Sequence, residues 1–152
     1  MNREIKFRGK RVDNGEWLIG YFIQWTVKYG PEFKEVKHSS IILSNGELDY
    51  GLDEVIPETI GQFTGLLDKN GKEIYEGDIV SAYKDLTEMY SRGSVENGTL
   101  EVWEEVVGNI DIPKEIVEYI GSSFRIGEYY LDTIEDCELE VIGNINDKKE
   151  IK

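Results

Sequence analysis

Thr64-Gly-Leu-Leu-Asp-Lys-Asn-Gly-Lys-Glu-Ile-Tyr-Glu-Gly-Asp-Ile-Val80 is the stretch that decides the fold. Asn70-Gly71 can take positive φ at both central positions of a tight turn, and such a type I′ turn has the twist that two antiparallel strands need. Asp68 and Lys69 lead into the turn, and Ile74 and Tyr75 are β-formers that open the return strand. Glu76-Gly77-Asp78 is a second turn signal, because glycine supplies a permissive backbone and aspartate bonds to nearby N–H groups. Ile79-Val80 then begins another apolar strand. The stretch predicts a hairpin followed by a third strand, with Ile74, Ile79 and Val80 in the core. Turn chemistry accounts for each residue, so nothing in it points to catalysis.

The same signals recur outward. Asn-Gly stands at 14–15, 45–46 and 97–98 as well as 70–71, the spacing of a meander or small barrel. Upstream, Ile5-Lys-Phe-Arg-Gly9 alternates apolar and basic residues and reads as a strand with one buried face. Residues 16–24 form a long apolar strand, with Gly20 a place for a kink or bulge, and residues 26–38 read as a loop or frayed extension. Ser40-Ile-Ile-Leu43 is a short buried strand. Downstream, residues 84–90 could form a short helix. Leu100, Trp103 and Val107 fall at helical spacing, so residues 99–107 read as a helix; a strand through Leu100–Trp103 is the rival. From Ile116 alternation returns, through Phe124-Arg-Ile126 to Glu138-Leu-Glu-Val-Ile142. Glu105-Val-Val-Gly-Asn-Ile110 echoes Glu140-Val-Ile-Gly-Asn-Ile145, which reads as two strands ending in one kind of turn.

The quoted stretch, the opening Arg3-Glu-Ile-Lys-Phe-Arg-Gly9, Val117-Glu-Tyr119 and the closing Glu140–Ile145 together resemble the YopX-like family of phage and prophage proteins. Residues 84–113 fit that pattern less well and look like an insertion. The resemblance implies a mainly β fold, antiparallel hairpins with an SH3-like small barrel in the C-terminal part, and at most short helices in the insertion. It implies an N-terminal β subdomain over residues 1–60 and a barrel subdomain over 61–152. It implies a mobile-element origin and supplies no catalytic residues.

The 152 residues carry 31 Asp/Glu against 17 Lys/Arg, for a net charge of −14. Residues 1–40 hold eight Lys/Arg against five Asp/Glu, and the remainder nine against twenty-six. Most of such a surface repels a phosphate backbone, which argues against direct nucleic-acid binding. No apolar run approaches membrane-spanning length and no leader pattern opens the chain, so a cytoplasmic protein of the bacterial host, with no membrane contact, is expected. The single Cys137 can make no internal disulfide, and its acidic neighbours disfavour the thiolate.

No catalytic or metal-binding pattern emerges. His38 is the one histidine and has no spaced partner. Asp68–Gly71 resembles a calcium loop but has glycine at the fourth position, not the sixth, and Ile79 where a bidentate glutamate belongs. Asp132, Glu135, Asp136, Glu138 and Glu140 read first as a solvated face, with weak divalent-ion binding as the rival. No cofactor is expected. One cluster stands out: Lys6, Arg8 and Lys10 share a strand face, with Arg11 following. The reading that asks least is an edge strand guarded by its charges; the functional reading is an interaction surface for carboxylates of this chain or another subunit. The expected function is therefore a non-enzymatic phage accessory protein acting through protein contacts, with itself as one candidate partner. An acidic mimic of nucleic acid and an undetected enzyme are the alternatives.

Overall fold

The computed structural model describes residues 4–43, 53–92, 98, 101–134 and 137–147. Eleven strands run in chain order: β1 Phe7–Lys10, β2 Trp17–Tyr29, β3 Lys34–Leu43, β4 Asp53–Glu54, β5 Gly61–Leu67, β6 Glu73–Tyr75, β7 Asp78–Arg92, β8 Glu101–Ile120, β9 Ser123–Ile126, β10 Tyr129–Tyr130 and β11 Glu138–Asn144. They form two antiparallel sheets, ordered β4-β3-β2-β1-β5-β6 and β10-β9-β8-β7-β11. Three-residue 3₁₀ turns at Pro57–Thr59 and Leu131–Thr133 are the helical elements among the described residues. The mainly β expectation holds.

The second sheet is open. Its outer strands, β10 and β11, do not pair with each other among the described residues, so the SH3-like barrel implied by the family resemblance is not closed. Strand β5 pairs with β1 and β6 with β5 at the edge of the first sheet, and the chain passes to the second at Glu76-Gly77.

The helical readings of 84–90 and 99–107 are overturned. Residues 84–90 and 101–107 are strands, paired within the run from Lys84↔Ile110 to Arg92↔Glu101, while 99 and 100 lie outside the described residues. Thr87, Val102, Val106 and Val107 are β-branched and favour the pleated backbone, and the helix-like spacing of Leu100, Trp103 and Val107 spans too few turns to compete. Of residues 26–38, read as a loop or frayed extension, 26–29 and 34–38 extend β2 and β3, paired from Gly20↔Leu43 to Tyr29↔Lys34, and 30–33 form the turn between them.

The core lies mainly on the second sheet. Val80, Ala82, Ile112, Val117, Phe124, Ile126, Leu131, Ile134, Cys137 and Leu139 pack together, and Ile74 of β6 enters the same cluster from the first sheet. Ile79 is only half-buried, contrary to the sequence reading, because it stands on the opposite face of β7 from Val80.

The quoted hairpin is a seam between the sheets. Its turn is not type I′: among the described residues only glycines and Phe33 have positive φ, so Asn70 does not. Asp68 organises the loop instead, Oδ1 accepting from the N–H of Asn70 at 2.8 Å and of Lys72 at 2.9 Å, with Gly71 at φ +81°. Its Oδ2 accepts from Val141 N–H of β11 at 3.1 Å. Burial pushes the Asp68 carboxyl up, but those three donors outweigh it and hold the group below the ordinary aspartate value. Gly77 donates to Val117 O at 2.8 Å and accepts from Ile145 N–H at 2.9 Å, fastening the other end of the motif to β8 and to the residue after β11. The Asn-Gly turns at 14–15 and 97–98 have their glycines at positive φ, while 45–46 lies outside the described residues.

The echoed segments share a bulge. Val107 is the extra residue between the pairs Leu86↔Gly108 and Thr87↔Val106, and Ile142 is the extra residue between Val141↔Val80 and Gly143↔Ile79. The first copy does not end in a turn, as expected from sequence, but continues along β8. A third irregularity, between Val80 and Ala82, sets Ser81 against Pro113 and Lys114, where proline's missing N–H is tolerated.

Candidate contact ribbons

The basic stripe singled out by sequence is engaged within the chain. Arg8 is buried, with Nη2 donating to Asp78 Oδ1 at 2.5 Å and the guanidinium 4.6 Å from the ring centres of both Trp17 and Tyr75. Asp78, 1% exposed, also accepts from Tyr75 N–H at 2.9 Å and Asn144 Nδ2 at 3.2 Å. Lys6 pairs with Glu73 at 2.5 Å and with Glu4 at 3.1 Å. The hydrogen bond to Glu73 raises the Lys6 pKa against the lowering effect of burial. Glu73 also accepts from the Tyr75 hydroxyl at 2.6 Å; burial, then that carboxylate, push the phenol's pKa well above its ordinary value. Lys10 donates to Asn146 O at 2.7 Å and reaches Asp147 at 3.4 Å. Arg11 bridges Asp13 at 2.7 Å and Asp53 at 3.2 Å. The four cations therefore hold the N-terminal strand to the hairpin seam and its neighbours.

His38 sits on β3 with Nδ1 against the Glu54 carboxylate and its ring stacked on Trp25, centres 5.3 Å apart. Ser40, two residues on and on the same strand face, is fully buried, which keeps a substrate carbonyl from its hydroxyl. Of the acidic cluster, Glu135 and Asp136 lie outside the described residues, and Glu140 pairs with Lys69 at 2.6 Å. No group of three or more metal-ligating side chains assembles among the described residues. No helix among them is long and apolar enough to cross a membrane.

What sequence reasoning missed is a pair of projecting two-stranded ribbons. Strand β11 pairs with β7 only as far as Tyr83, and β9 pairs with β8 only over Val117–Ile120. Beyond those points β7 and β8 have each other and no further strand among the described residues. At about 3.3 Å per residue the ribbon from Tyr83 to Arg92 is about 30 Å long. Both of its faces are exposed and carry Leu86, Met89, Val102, Trp103, Val106 and Val107. Tyr90 and Trp103 oppose each other with ring centres 6.0 Å apart. On the next rung of the same face Glu88 stands directly opposite Glu105.

The second ribbon is β2 beyond Gly20 with β3 before Ser40, since β1 and β4 stop pairing there. Its rungs Trp25↔His38, Val27↔Val36 and Tyr29↔Lys34 fall on one face, while Thr26↔Lys37 and Lys28↔Glu35 fall on the other. At its tip Phe33 is 70% exposed with φ +51°, a backbone region that bulky residues rarely adopt.

Two antiparallel sheets, a polar seam and two exposed two-stranded ribbons define a mainly β protein. The chain belongs to the YopX protein family, which matches residues 6–151. Among curated proteins no sequence matches it.

Proposed function

We propose that this chain is a phage or prophage accessory protein of the bacterial cytoplasm, non-enzymatic and free of cofactors, that works by protein–protein contact through its two ribbons. The supporting observation is the β7–β8 ribbon. Isolated two-stranded ribbons are marginal in water, and this one also exposes Met89, 68% accessible, and Trp103, with no layer over them among the described residues. A partner that covers those side chains would supply the missing layer. The test is recovery of partners from lysogenic cells with the intact chain and with a Met89→Ser/Trp103→Ser variant of unchanged circular dichroism. The proposal expects a protein recovered by the first and lost by the second; equal recovery by both would refute it.

The acidic-mimic reading draws on the same ribbon, where residues 84–92 and 101–111 hold six carboxylates against two cations. The interleaved Leu86, Met89, Trp103 and Val106 count against it, because duplex phosphates present a continuous polar edge.

A further inference from the structure

Resting on the contact reading above, we infer that the partner of the ribbons is a second copy of this chain, the β7–β8 ribbon of each copy seating on the β2–β3 ribbon of the other. Charge complementarity selects this occupant. The β7–β8 ribbon is acidic, and its Glu88↔Glu105 rung sets like charges directly opposite, a cross-strand arrangement that costs stability until a cation sits between them. The adjoining Tyr90↔Trp103 stack offers an aromatic face to the same cation.

The β2–β3 ribbon supplies matching cations. Lys6, Arg8, Lys10 and Arg11 are already held by carboxylates of their own chain. Lys28, Lys34 and Lys37 lie instead on the exposed arm. Lys28 and Lys34 pair there only with the exposed Glu35 and Glu32, at 3.0 and 3.6 Å. Exposed pairs of this kind contribute little and exchange partners readily. Lys37 has no carboxylate partner among the described residues. On the Glu88↔Glu105 face the β7–β8 ribbon also exposes Leu86 and Trp103 beside the acidic rung. Phe33 combines an exposed ring with left-handed backbone, two costs that a partner's cover would offset.

Reciprocal seating gives two equivalent contacts about a twofold axis. Ribbons about 30 Å long and about 10 Å wide would together bury on the order of 1,200 Å². That is the lower end of a specific interface, and one sensitive to salt.

Sedimentation velocity over a concentration series tests the pairing with two charge-reversed chains. One carries Glu88→Lys and Glu105→Lys; the other carries Lys28→Glu, Lys34→Glu and Lys37→Glu. All five side chains are exposed, and circular dichroism confirms that each variant folds. The intact chain should dimerise, each variant alone should sediment as monomer, and an equimolar mixture of the two should recover the dimer. A mixture that stays monomeric, or variants that dimerise as the intact chain does, would overturn the pairing. So would an intact chain that is monomeric throughout. If that monomer still recovers a partner lost by the Met89/Trp103 variant, self-pairing alone fails; if it recovers none, the contact reading fails with it.

Discussion

Replacing Asp78 with asparagine removes one charge from the centre of the seam and leaves the Arg8 guanidinium without its anion. Asp78 is 1% exposed and Arg8 8%, so water cannot replace the lost partner without opening the seam. Arg8 Nε has no hydrogen-bond acceptor among the described residues, which leaves the guanidinium dependent on its Nη2 contact and the flanking rings of Trp17 and Tyr75. Breaking one side of such a buried pair costs about 3–5 kcal/mol. With a urea m-value of about 2 kcal/mol per M, the unfolding midpoint should fall by ~1.5–2.5 M. Arg8→Met on the intact background should also destabilise, since it strands the Asp78 carboxylate. The Arg8→Met/Asp78→Asn double variant leaves neither charge unpaired and should cost less than the two single costs together, by ~1–3 kcal/mol. Single costs that simply add, or an Asp78→Asn midpoint within error of the intact chain, would refute the reasoning.

Ile74, fully buried where the sheets meet, should lose ~2–5 kcal/mol on truncation to alanine, and the half-buried Ile79 less, as read from denaturant midpoints. Gly61→Ala would set a methyl 2.3 Å from Glu76 O, so the backbone must move; a cost of ~1–3 kcal/mol in the same assay is expected. The Asp68 carboxyl titrates below its unfolded value, so the stability it contributes is present above about pH 4 and is lost as pH falls through the folded pKa. Acid titration of the midpoint should therefore fall less steeply for Asp68→Asn than for the intact chain.

The body of the fold was legible because its turns are written locally. Gly15, Gly71 and Gly77 sit at positive φ where the sequence placed turns, and Val80, Val117 and Ile126 fall on the buried side of alternating runs. The partners of the basic stripe were not legible as residues: Lys6 meets Glu73 and Arg8 meets Asp78, contacts 67 and 70 positions apart that only the folded sheet order brings together. The ribbons were missed for a different reason. With both faces exposed, burial imposed no alternation on residues 84–92 and 101–111, and the bulge at Val107 shifts the register between the two halves. Their β-branched content was the usable signal.

Amide hydrogen exchange at low and high protein concentration tests ribbon pairing most directly. Amides on the unpaired edges of residues 84–92 and 101–111, and of 21–29 and 34–39, should exchange fast in dilute protein and slow down together as concentration rises, while Val80 and Val117 stay protected throughout. Ribbon exchange that is independent of concentration, or slowing confined to one ribbon, would contradict it.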